Sequence, residues 1–275
     1  MAALPAAELR FFPGAGHFSP EDNPPSLRRR TPRLRTRNRP RAAELTGAGP
    51  NPQSWPDSVS GFARASKVGP VSDWEQFLDR VPWFGGIAVA GEAEPWTRGP
   101  VPGLPALSAL LGSATVTPVS EDGEAYELLA WGPPDDRGGW LCHPPRQEGT
   151  EAFHPVHRAF SAVCGGITEW FGEPGSWWRN QDEVLTAGIA NTRLSEVLDA
   201  GLEVPVRPDE HYVVAVEANG NLTLAHRRSG RLLLFAQDHA FTGATPLPGC
   251  PSLLTIDGVP DLATWIETCA AARQP

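Results

Sequence analysis

His211–His239 reads HYVVAVEANGNLTLAHRRSGRLLLFAQDH, and this stretch decides the fold class. His211–Glu217 alternates and is rich in strand-forming residues, and Leu222 and Leu224 alternate with Thr223. Between them Asn219-Gly220 supplies the two left-handed positions of a type I′ turn. Ser229-Gly230 then turns the chain into Arg231–Ala236. The pattern predicts a three-stranded antiparallel meander over residues 211–241.

Helical periods surround the meander. Downstream, Leu262, Trp265, Ile266 and Cys269 fall on one face of a helix over Pro260–Ala272. Upstream, His154-Pro155 opens a helix with proline at its first position, with Val156, Phe160, Val163 and Cys164 as its apolar stripe and Gly165-Gly166 closing it. Trp170, Phe171, Trp177 and Trp178 form an aromatic linker, and Leu194, Val197, Leu198 and Leu202 support one more helix. Nearer the start, Ser72-Asp73-Trp74-Glu75 fits a capping box ahead of a short amphipathic helix carrying Trp74, Phe77 and Leu78. A short strand is expected at Ile87–Ala90, a helix at Ala106–Leu111, and strands at Ala114–Val119 and Ala125–Trp131. The order is α+β and not the alternating pattern of a doubly wound sheet. The expected organisation is a leader over residues 1–69, a small α+β portion over 70–150, and an α+β domain over 151–275.

Charge divides the chain the same way. The 275 residues carry a formal net charge of −9, and Lys67 is the lone lysine among 23 basic residues. Eight arginines crowd Arg28–Arg41, so residues 1–45 hold nine arginines against four acids. The remaining residues hold 14 basic and 28 acidic groups, a net of −14. Rich in Pro, Gly, Arg and Ser and without an apolar period, the leader is expected to be disordered. Its arginines could hold phosphates or an acidic partner, whereas the acidic remainder argues against a nucleic-acid binder as a whole. The bland alternative for the leader is a solvated tail, or sequence ahead of the true start. No run of eighteen apolar residues exists, and the first thirty lack a signal-peptide pattern, so a cytoplasmic chain without a membrane span is expected.

Motifs of chemistry are sparse. No phosphate-binding glycine loop and no nucleophile elbow occurs. Cys142, Cys164, Cys250 and Cys269 form no CxxC pair, so neither a disulfide scaffold nor a zinc site is expected. His154, His157 and Cys164 make at most a partial ligand set and read better as surface histidines and a buried thiol. Neighbouring strand residues such as Asp238 and His239 point to opposite faces and form no dyad while the strand continues. The residues therefore predict no catalytic group, no metal and no cofactor.

His154–Gly166 (HPVHRAFSAVCGG), Trp177-Trp178-Arg179-Asn180, the hairpin Val214–His239 and the terminal helix with Trp265 and Ile266 together resemble the SUKH superfamily. Its members are bacterial immunity proteins related to the fungal cell-wall-assembly regulators. The resemblance covers about residues 150–272 and departs at Ala225-His226-Arg227-Arg228, where the family carries a negatively charged residue. It implies a SUKH-like antiparallel meander packed with helices. It also implies a non-catalytic cytosolic protein that neutralises a cognate toxin, often a nuclease, by covering a basic cleft. Trp177, Trp178, Asn180, Asp238, His239 and Phe241 are the expected partner-binding residues. The competing reading makes the tryptophans core and the acids a solvated face. Other classes in play are a regulatory or scaffold protein of the same fold, a hydrolase using Cys164 or a His/Asp pair, and a nucleic-acid factor acting through the Arg-rich leader.

Overall fold

Alternation of buried side chains draws the strands of this chain into one antiparallel sheet. The structure, a computed structural model, describes residues 71–272 apart from positions 83, 85–87, 173–180, 199–202, 218 and 237–242. The leader expected over residues 1–69 lies outside the described residues. Twelve strands are described: β1 (Val89–Ala90), β2 (Glu94–Pro95), β3 (Thr115–Glu121), β4 (Glu124–Trp131), β5 (Gly138–Cys142), β6 (Ile167–Phe171), β7 (Gln181–Val184), β8 (His211–Glu217), β9 (Leu222–His226), β10 (Leu232–Phe235), β11 (Ala244–Leu247) and β12 (Cys250–Ile256). The sheet order is β1-β3-β4-β5-β6-β7-β8-β9-β10-β12-β11, with β2 also on β3. Each strand from β3 to β10 thus lies beside its neighbour in sequence. Proline sits in two of the three edge strands, Pro95 in β2 and Pro246 in β11, where a missing N–H hinders pairing with another chain.

Six helices cover the two faces: α1 (Asp73–Arg80), α2 (Pro105–Gly112), α3 (Pro155–Ser161), α4 (Ala187–Ala190), α5 (Leu194–Val197) and α6 (Leu262–Ala271). The principal core lies on one face, where α2, α3 and α6 pack Leu107, Phe160 and Trp265 against Trp140, Tyr212 and Leu234. On the opposite face α1 packs Phe77 against Tyr126, Leu128 and Phe171. Further along that face, Ile189 of α4 and Leu194 of α5 cover Val213, Leu224 and Leu233. Consecutive β10 residues serve opposite cores, as period two requires.

The capping box forms as the sequence predicts, with Glu75 N–H donating to Ser72 Oγ and Ser72 N–H to Glu75 Oε2. The meander of β8, β9 and β10 is also present, but its first turn differs. Gly220 has φ 89°, its N–H donates to the Glu217 carbonyl, and Glu217 N–H donates to that of Asn221. The hairpin thus closes on Glu217 and Asn221, where a two-residue Asn219-Gly220 turn would close on the residues flanking it directly. Gly165-Gly166 does not cap α3, which ends at Ala162. The glycines extend the β5–β6 pairing instead, Gly165 N–H donating to the His143 carbonyl and His143 N–H to that of Gly166. A side chain at Gly165 would strike the Pro144 oxygen.

Position 150 interrupts neither sheet nor core. β5 pairs with β6 across it, and the principal core draws on residues from Val101 to Ala270. One contact ties the ends together. The first residues of α2 lack a side-chain cap, and their Ala106 and Leu107 N–H groups donate to the Glu267 carboxylate of α6 at 2.8 and 3.1 Å. A carboxylate there answers both the unpaired donors and the positive end of the helix. Replacing Glu267 with Ala is expected to lower unfolding free energy by about 1–2 kcal/mol. Urea denaturation checks this; an unchanged midpoint would show that water replaces the cap at no cost.

Candidate functional site

The six expected partner-binding residues, Trp177, Trp178, Asn180, Asp238, His239 and Phe241, lie outside the described residues. The strands that flank those segments in sequence are described. Gln181 pairs with Glu217, Leu222 with Phe235, and Gly139 with Phe171, so the ends of β6 and β10 and the start of β7 share one rim of the sheet. Three strand spacings, roughly 14 Å, separate β7 from β10 along it. The described part of the rim is polar and closed on itself. Asn221 Nδ2 donates to Glu217 Oε2 at 3.2 Å, and Asn221 N–H donates to Asn219 Oδ1 at 3.0 Å.

His157 is not the surface histidine expected from the sequence. It is fully buried, against the rings of Phe153 (4.7 Å, 18°) and Tyr212 (5.7 Å, 12°), which are themselves 5.7 Å apart. A carbonyl only accepts, so the 3.0 Å contact with Leu185 O fixes the proton on Nε2. Nδ1 is then an acceptor for the Tyr212 hydroxyl at 3.2 Å, which itself accepts the His154 N–H at 3.1 Å. Burial pushes His157 down to about 4 and the Tyr212 phenol upward. His154 is half-buried and caps α3 by accepting the Val156 N–H on Nδ1. Both rings have structural work, and its one local mark is the proline that follows His154.

Cys164 is buried as expected, past the end of α3 and beside the equally buried Cys142. Burial and the neighbouring thiol push Cys142 well above its ordinary range, so it stays protonated. With both His157 nitrogens occupied and both thiols enclosed, a Cys164/His157 nucleophile pair finds no support. Among the described residues no group of three His, Cys, Asp or Glu side chains could hold a metal ion.

The departure at Ala225-His226-Arg227-Arg228 also has a structural use. Arg227 lies 5.0 Å from the Tyr212 ring and donates to the Ala152 carbonyl at 2.6 Å. His226 accepts the Arg228 and Ser229 N–H groups on Nδ1 and contacts Glu210 Oε2 at 3.1 Å through Nε2.

A cleft of about 220 Å³ lies elsewhere, between the start of α1 and the β1–β3 edge, lined by Ser72, Asp73, Trp74, Glu75, Gly91 and Thr117 among others. Asp73 is committed there to Arg137, at 2.8 Å from Nε, and to the Thr115 hydroxyl.

No family model, curated protein or solved structure matches the chain. Among the described residues no helix is long and apolar enough to cross a membrane.

His157 makes stability pH-dependent in a defined direction. The unfolded histidine takes up its proton near pH 6.5, and the folded one only near 4. The unfolded state therefore binds more protons in that interval, and stability present above pH 6.5 is lost as pH falls toward 4, by about 3 kcal/mol. Urea midpoints measured between pH 7.5 and about pH 4.5 are expected to fall steadily, and His157→Gln is expected to flatten the slope. Equal slopes would assign the acid sensitivity to other groups.

Proposed function

We propose that this chain is a non-catalytic, cytoplasmic binding protein, a bacterial immunity protein that neutralises a cognate toxin by protein–protein contact. The observation that carries the reading is the shared rim. The strands that flank segments 173–180 and 237–242 in sequence end at this one rim, and those segments contain all six candidate residues. Trp177, Trp178 and Phe241 with Asp238 and His239 are the residue types of an interface hot spot, aromatic anchors and charge. The net of −14 outside residues 1–45 supports a basic, nuclease-like partner, because opposite fields speed encounter and disfavour wrong partners. The order of proline-led helix, glycine pair, antiparallel meander and terminal helix supports the SUKH-like reading. A regulatory or scaffold role in the same fold would use the same rim.

Co-expression with toxin domains encoded beside its gene tests the proposal. Restored growth and a co-purifying complex are expected, with Trp177→Ala or Trp178→Ala weakening the complex at least tenfold, about 1.4 kcal/mol. Absence of rescue and of any complex would overturn it. Tryptophan variants that unfold the chain would show these side chains to be core.

A further inference from the structure

We propose that the uncovered end of the sheet at β1, β3 and β4 is a docking face for the chain's own arginine-rich segment, Thr31–Arg41. The proposal goes beyond the binding reading above and does not depend on it. Side chains of β3 alternate across the sheet, and Val116, which packs against the principal core, points to the same side as Pro118 and Ser120. Cross-strand pairing adds Val89 of β1 and Ala125 of β4 to that side, both opposite Ser120. α2, α3 and α6 cover this side further along, yet Pro118, Ser120 and Ala125 are exposed here, and Val89 is 70% exposed. Among the described residues Val89 and Val71 are the large hydrophobic side chains left in solvent. Val89, Pro118, Ala125 and Pro144 edge a hollow of about 370 Å³.

Charge, sequence and tether point to one occupant. Glu121, Asp122 and Glu124 lie at the β3–β4 turn beside the hollow, and Glu92 and Glu94 follow β1. Arg98 reaches the lining but is held by Glu127 and the Val163 carbonyl. An apolar patch edged by carboxylates favours a segment that carries both apolar and cationic side chains. Thr31–Arg41 reads TPRLRTRNRPR, with arginine at every second position from Arg33 to Arg41. An extended chain sends alternate side chains to opposite sides, so Pro32, Leu34 and Pro40 share one side, which suits the patch. The long arginine stems then reach around to the flanking acids. Entry of the chain favours the same place. Ser72 and Asp73 line one cleft with Ala90 and Gly91, so the chain enters the described fold beside β1, and the face lies around that edge. About thirty residues separate Arg41 from Val71, a reach of roughly 100 Å when extended. Such a tether supplies an effective concentration on the order of 1 mM, which a second copy or a free partner has to exceed. Seated there, the segment is a built-in competitor for basic ligands.

The test uses the full-length protein with Thr36→Cys carrying a nitroxide; Cys142, Cys164, Cys250 and Cys269 are buried, which leaves the new thiol for labelling. Amide signals of Val89, Ser120 and Ala125 are expected to fall at least about twofold relative to the reduced label, because a tethered segment half fills even a millimolar site. Signals of Thr245 and Thr255, on the strands at the other end of the sheet, are expected to keep their intensity. Val89→Glu adds a negative charge at an exposed position, so attraction by charge alone would grow, whereas the proposal requires the signals to recover. Recovery is also expected when Arg33, Arg35, Arg37, Arg39 and Arg41 are changed to glutamine. Undiminished signals in the chain with Thr36→Cys alone, loss spread evenly over the surface, or loss that persists in Val89→Glu would overturn the proposal. The other occupants have outcomes of their own. Equal loss in an isotope-enriched chain without nitroxide, mixed with a nitroxide-bearing one, assigns the face to a second copy. Undiminished signals that a capped hexa-arginine peptide shifts at the same amides assign it to an outside basic segment. Either result overturns docking within the chain.

Discussion

A neutral imidazole packed against two aromatic rings organises this molecule. Phe153, His157 and Tyr212 stack nearly parallel, and the His157 nitrogens are saturated by a carbonyl on one side and a phenol on the other. The three rings come from the approach to α3, from α3 itself and from β8, and Leu185 brings the end of β7 into the same cluster. Leu185 adopts φ 54°, a conformation that costs a non-glycine residue on the order of 1–3 kcal/mol. Two bonds hold it there: its N–H donates to the Val214 carbonyl at 2.8 Å, and its own carbonyl accepts from His157. Arg227 over the outer face of Tyr212 and on the Ala152 carbonyl extends the cluster to the end of β9. A charged imidazole could keep neither its acceptor role nor its dry site, so the arrangement requires His157 unprotonated.

That cluster also ties together the two halves of the long sheet. Among the described residues β6 pairs with β7 at Ile167 and Val184. Other bonds add to that junction: His157 of α3 reaches the Leu185 carbonyl just past β7, and α6 reaches across to α2 through Glu267. Arg98 adds a further tie, bonding the Val163 carbonyl and the Glu127 carboxylate at 2.7 and 2.6 Å. A rim whose strands come from both halves can act as one surface only if the junction does not flex.

Local signals in the sequence were legible wherever one segment determines its own shape. The Ser72 capping box, the proline-led α3, the meander and α6 all follow from patterns within a dozen residues. β5 was not legible, because Gly138-Gly139 reads as a break. In the sheet Gly139 lies where a side chain would strike the Leu129 oxygen and the Phe171 ring, so glycine there reflects close packing of distant strands. Trp170 and Phe171 read as a linker for the same reason: β6 exists through its pairing with β5, which lies about 25 residues earlier and carries no local mark. The helix expected to include Leu202 shortens to the single turn of α5, followed by an extended Leu198. His157 was read as exposed because its partners, Tyr212 and Leu185, are 55 and 28 residues away. The cleft beside α1 left one trace, Trp74 within a capping box, and Thr117 gave none.

The described residues form one antiparallel sheet built around a neutral histidine. The central physical claim concerns a single proton. Long-range nitrogen–hydrogen correlation spectra of the histidine rings, taken from pH 7 down to pH 5, observe it directly. The account predicts that His157 remains neutral throughout with its proton on Nε2 and a bare Nδ1. An imidazolium already formed at pH 6, or a proton resident on Nδ1, would contradict it.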